Sequence, residues 1–173
     1  MFGRKKVKPQ PQPAPRAVPA DMSPEEMDRR TDDAIGVLSE ALGINLDFDI
    51  GSIFAPCLWD DPEIGTLLRK VGLEPNMAGN KMSLLKDERS LRTLLQRPKD
   101  DPVREALASS GFGMVLFNPA AANGYADGLV TMQREKLREF AHRTDLSDEA
   151  REYAVWDLMR FTSEVMKGNV PLG

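Results

Sequence analysis

The sequence predicts an all-α protein: a compact, irregular bundle of five or six helices with an extended N-terminal arm, and room for one minor short β pair. Three observations carry this expectation. A capping residue followed by proline recurs at Ser23-Pro24, Asp61-Pro62 and Asp101-Pro102. Ser and Asp side chains accept the orphan N–H groups of a helix start, and proline is tolerated at the first helical position. Apolar residues recur at helical spacing through several segments. Period-two alternation, the sign of a half-buried strand, is confined to Ile44, Leu46, Phe48 and Ile50.

The elements follow in order. Residues 1–20 form the arm, and residues 21–173 the helical domain. Proline at positions 9, 11, 13, 15 and 19 removes backbone donors and favours an extended chain. The first helix spans about 24–42: Ser23 caps it, Glu26 completes a capping box, and Met27, Thr31, Ala34, Ile35, Leu38 and Leu42 share one face. Gly43 supplies its stop. The stretch INLDFDIGSIFAPCLW is a short strand without an obvious mate, or an extended buried connection. A short helix runs from the Asp61 cap to Gly72, and EPNMAGNK after it is a loop.

SLLKDERSLRTLLQRP predicts a helix with Leu84, Leu91 and Leu95 on one stripe, Leu85 and Leu94 beside it, and Pro98 ending it. A further helix starts at Asp101 and stops at Gly111, and FGMVLF is a candidate short strand. The last third predicts one helix inside about 120–143 and a final one capped by Ser147 or Asp145 and reaching Lys167. A connection this short makes them antiparallel neighbours. On the final helix, Ala150, Ala154, Leu158, Phe161 and Val165 form one apolar stripe, and Val155, Met159 and Met166 a second. Trp156 lies off both.

Composition bounds the function. The 173 residues suit one domain with an appendage, and 41% hydrophobic content permits a core built, with aromatics at 6%, mainly from aliphatic residues. No apolar run approaches the roughly 20 residues that span a bilayer. The charged N-terminus lacks a following apolar stretch, so no secretory signal is expected. Cytoplasmic or virion-associated residence follows as an expectation.

The net charge of −4 is unevenly spread. Arg4, Lys5, Lys6, Lys8 and Arg16 make the arm basic, whereas residues 31–68 carry eight acids and no Lys or Arg. Residues 81–99 turn basic again through Lys81, Lys86, Arg89, Arg92, Arg97 and Lys99. Such segregation concerns partners rather than fold. The patches either pair within one chain or meet other molecules.

Signals for catalysis are weak. His142 is the single histidine and falls late in a helix, where the dipole favours a cation. Cys57, the single cysteine, stands among apolar neighbours, the setting of an inert thiol. One Cys and one His cannot build a structural zinc site of usual spacing in one chain. Asp47, Asp49, Asp60 and Asp61 offer oxygen ligands for magnesium or calcium only if the fold gathers them. GNKMS and GFG lack the remaining glycines of phosphate-cradling loops. The arm's prolines are never three apart, so it is not a PxxP ligand.

The expected function is a non-enzymatic structural or accessory component of a large protein assembly, with a tailed-phage virion protein as leading candidate. Its partners are protein subunits, identical or different, reached through the arm and through Trp156, Arg160, Lys86, Arg89, Arg92 and Arg97. No cofactor, metal or membrane is implied. Two alternatives remain. One is a nucleic-acid-associated or regulatory protein, with the arm and the 81–99 helix on phosphate. The other is a metal-dependent enzyme using Asp47, Asp49, Asp60 and Asp61.

Overall fold

A computed structural model describes residues 23–43, 46–86, 88–115 and 126–172. Six α-helices and one two-stranded antiparallel sheet account for most of them: α1 (Pro24–Leu42), β1 (Phe48–Ser52), α2 (Pro62–Lys70), β2 (Lys81–Leu85), α3 (Glu88–Gln96), α4 (Pro102–Ser109), α5 (Asp127–His142) and α6 (Asp148–Met166). Single 3₁₀ turns lie at Pro56–Asp60 and Ala78–Asn80. The expected arm falls outside the described residues. Among the described residues, no helix is long and apolar enough to cross a membrane.

The capping residues act as their chemistry dictates. Ser23 accepts from the Glu26 N–H at 3.2 Å, and Asp61 accepts from Glu63 and Ile64 at 3.1 and 3.2 Å. Asp101 accepts from Val103 at 3.0 Å. For α6 the cap is Ser147, which accepts from Ala150 at 3.1 Å; Asp145 is occupied by Arg143 instead. The α5–α6 turn is closed by Arg151, whose guanidinium donates to the carbonyls of Phe140, Arg143 and Leu146.

The mate of β1 is β2, paired Phe48↔Leu85, Ile50↔Ser83 and Ser52↔Lys81. This corrects the expected 83–97 helix: Leu84 and Leu85 belong to a strand, and α3 starts only at Glu88. The reason is burial on both faces. Met82 through Leu85 are all buried, so the strand has no polar alternation, and its leucines fell by chance in helical phase with Leu91. FGMVLF contributes one parallel bridge, Gly113 to Leu84. A Cβ at Gly113 would stand 2.2 Å from Leu84 Cδ2, so any larger residue here would push the buried Leu84 side chain aside.

Leu84 and Leu85 face opposite sides of the ribbon, and each side carries its own core. The larger core joins Phe54, Leu58, Ile64, Leu68, Leu84, Leu129, Leu137, Val155 and Met166 from β2, α2, α5, α6 and the segment after β1. The smaller joins Leu46, Phe48, Leu85, Leu91, Leu94, Leu107, Phe112 and Met114, with Ile35 and Leu38 of α1 against it. Phe48 and Phe112 pack there with ring centroids 4.4 Å apart. A second link between the halves is Arg104. It donates to Leu95 O and Arg97 O at the end of α3 and to Gly168 O after α6.

The chain leaves β1 as a buried, irregular run, Ile53-Phe54-Ala55. Two fully buried amides hold it. Asn80 accepts from Phe54 N at 2.8 Å and donates to Phe54 O and Pro75 O at 3.2 and 3.1 Å. Gln133 donates to Ile53 O at 2.7 Å and accepts from Ala55 N at 3.3 Å. Buried main-chain polar groups left without partners cost about 1–3 kcal/mol each. Asn80→Ala is therefore expected to lower the unfolding free energy by about 3 kcal/mol in urea denaturation. A loss under about 1 kcal/mol would mean that the run does not depend on this amide.

Along the outside of the larger core, α2 is tied to α5 and α6 by two ion pairs and a histidine–carboxylate contact. Asp61 accepts from Arg138 at 2.7 Å, Lys70 meets Asp148 at 2.8 Å, and His142 Nε2 lies 2.9 Å from Glu63. The Arg138 guanidinium, aided by the Ile64 N–H, holds the Asp61 carboxyl below its ordinary range. The folded state thus favours the ionised form. This stabilisation is complete above the unfolded carboxylate's value of about 4 and is lost as pH falls through the lower folded value. Comparing urea midpoints at pH 6 and pH 3, Asp61→Asn should lose less stability on acidification than the native chain. An equal loss would remove the pair from the acid response.

Candidate interaction surface

Helix α6 buries one side against α5 and the larger core. Val155, Leu158, Met159, Thr162, Val165 and Met166 are buried, and the Thr162 hydroxyl returns to Leu158 O at 2.8 Å. At about 100° per residue the buried arc centres on Thr162. Phe161, expected on the core stripe, lies at the edge of this arc and is 39% exposed. Trp156 lies at the other edge, half-buried against the larger core. Between them the outward face carries Tyr153, 72% exposed, and the Arg160–Asp157 pair at 2.5 Å.

This face therefore presents three aromatic side chains and an arginine. Tyr, Trp and Arg are the residues in which interface energy concentrates, because they bring large rigid area with a polar end. In the sequence, Trp156 and Arg160 are the residues that mark this face. Tyr153 joins them only in the fold, although the sequence carries its signal: an aromatic placed opposite the apolar arc of an amphipathic helix.

The basic residues singled out in 81–99 are mostly engaged within the chain. Lys86 sits 3.2 Å from Asp49 and 3.9 Å from Asp47. Arg92 donates to Glu88 at 2.6 Å, and Arg97 holds Asp101 with both contacts at 3.1 Å. Arg89 is exposed on α3. They stand on a different element from Trp156 and Arg160. Part of the charge segregation thus resolves into pairing inside one chain: Asp47 and Asp49 with Lys86, Asp61 with Arg138, and Glu63 with His142.

The four aspartates are not gathered. Asp47 and Asp49 share Lys86 beside the ribbon, Asp61 caps α2, and Asp60 is exposed at the end of a 3₁₀ turn. Among the described residues, no three His, Cys, Asp or Glu side chains are placed to hold a metal ion. Cys57 is a free thiol half-buried against the larger core, and His142 ends α5, exposed beside Glu63. A cleft of about 180 Å³ lies between α4 and the turn after α6, lined by Lys99, Arg104, Glu105, Ala108, Ser109, Gly168 and Asn169. Its most buried cation, Arg104, already serves the three carbonyls described above. Arg4, Lys5, Lys6, Lys8 and Arg16 lie outside the described residues.

The exposed residues of the α6 face are expected to be dispensable for folding. Tyr153→Ala and Arg160→Ala should each change the unfolding free energy by less than about 0.5 kcal/mol, whereas Trp156→Ala should cost about 1–2 kcal/mol through lost packing. Chemical denaturation of the three variants checks the ordering. A large loss at Tyr153 would assign that residue to the core instead. No protein family, curated protein or solved structure matches this chain.

Proposed function

We propose that the chain is a non-enzymatic structural or accessory component of a larger protein assembly, a tailed-phage particle being the leading candidate. The observation that carries this reading is the outward face of α6, where Tyr153 and Phe161 stand exposed beside Trp156 and Arg160 on an otherwise core-forming helix. The N-terminal sequence adds to it. Five cationic residues and a proline tract on alternate positions suit a tether lying along an acidic neighbouring surface. In this reading the helical body is a compact anchor, α6 meets a neighbouring subunit, and the first twenty residues lengthen the contact. The body's own acidic surface disfavours nucleic acid as the primary partner.

Deleting residues 1–20 should leave the denaturation midpoint of the body unchanged and prevent its incorporation into the native complex. Tyr153→Ala with Arg160→Ala should weaken incorporation without unfolding the chain. Native mass by light scattering, together with the species that copurify, reads both effects. A truncated chain that assembles like the intact one would remove the tether from the mechanism.

A further inference from the structure

Lys81 opens β2 immediately after the buried Asn80, and its side chain is half-buried. Its amine finds only neutral acceptors: Ser52 Oγ across the ribbon at 3.0 Å and Asn76 Oδ1 at 3.5 Å. Among the described residues, no carboxylate lies within ion-pairing distance of it. Most of the other described lysines differ. Lys70 meets Asp148, Lys86 meets Asp49, Lys136 meets Glu139 and Lys167 meets Glu164, all within 3.2 Å. Among the described lysines, exposed Lys99 is the other one without a carboxylate in ion-pairing distance.

Withdrawing an ammonium from water without supplying a counter-charge disfavours the charged form. Burial accordingly holds the Lys81 amine below the ordinary lysine range. The neutral amine is the nucleophilic form, and desolvation is one way proteins activate a lysine.

We propose that Lys81 Nζ is an acyl-acceptor site, modified by activated acyl donors of the thioester class. The neutral amine attacks the thioester carbonyl, and the carbon–sulfur bond breaks with its electron pair leaving on sulfur. The surplus proton on nitrogen passes to the departing thiolate. The products are an acyl-lysine amide and a free thiol, and no oxidant or reductant is needed. Ser52 positions the amine before the reaction, and its oxygen can still accept from the amide N–H afterwards. The product also removes a cation from a half-buried place. This inference is independent of the assembly reading.

The test uses the full folded chain with acetyl-coenzyme A as the probe at neutral pH, followed by proteolytic mapping and mass spectrometry. Lys81 should acquire the acetyl group several-fold faster than Lys99, and the preference should vanish in concentrated urea. Asn76→Asp, at an exposed loop position, supplies the missing counter-charge and should slow Lys81 several-fold while leaving Lys99 unchanged. Labelling of Lys81 no faster than Lys99 in the folded chain would overturn the proposal. So would a preference that survives urea, or one indifferent to Asn76→Asp.

Discussion

The arrangement rests on two buried carboxamides. Where β1 ends, the chain turns into the interior over Ile53, Phe54 and Ala55 without a regular partner strand. Main-chain groups there must be satisfied, since water does not reach them. A carboxamide carries donor and acceptor at adjacent positions and so imitates a passing strand. Asn80 does this from the turn before β2, and Gln133 from α5, roughly half the chain away. Held in this way, Phe54 and Leu58 become fully buried, and the Asp61 cap starts α2 in a place where it can meet α5. The larger core is thus closed by polar contacts of long sequence separation, although its mass is aliphatic.

Much of the helical content was legible because its signals are local. Ser23-Pro24, Asp61-Pro62 and Asp101-Pro102 each combine a side-chain acceptor with a residue that can only begin a helix, and all three begin one. Gly43 ends α1 in the left-handed conformation at φ 62°. The alternation around Phe48 and Ile50 marked β1, but its mate was not legible, because β2 is buried on both faces and the pairing spans some thirty residues. No local pattern reports such pairing. The division into two cores was hidden for the same reason, since it follows from Leu84 and Leu85 pointing apart. Asn80 sat in a stretch that reads as ordinary loop, and only the fold shows it to be fully buried.

The outward side of α6 was legible in part. Arg160 and Trp156 lie off the apolar stripes of α6; the fold puts Arg160 and Tyr153 on the outward side and Trp156 and Phe161 at its two margins. Helical phase explains the difference. The two apolar stripes fixed where the helix turns inward, but a residue at the border of the arc is decided by what packs beside it. The acidic and basic blocks could not be assigned from order along the chain, because pairing depends on which ends of which elements meet. Lys86 lies one residue beyond β2 and meets aspartates beside and on β1 because the strands are antiparallel.

The two joints of the molecule differ in kind. Between α2 and its neighbours the links include the Asp61 and Asp148 carboxylates, which Arg138 and Lys70 hold below the ordinary carboxylate range. Between the smaller core and the end of α6 the link is the Arg104 guanidinium on three main-chain carbonyls. Neither guanidinium nor peptide oxygen titrates in any ordinary range. Acid therefore acts on these two joints unequally. Protonation removes the charge that Arg138 meets at Asp61, whereas the Arg104 contacts with three peptide oxygens carry no group that acid can neutralise.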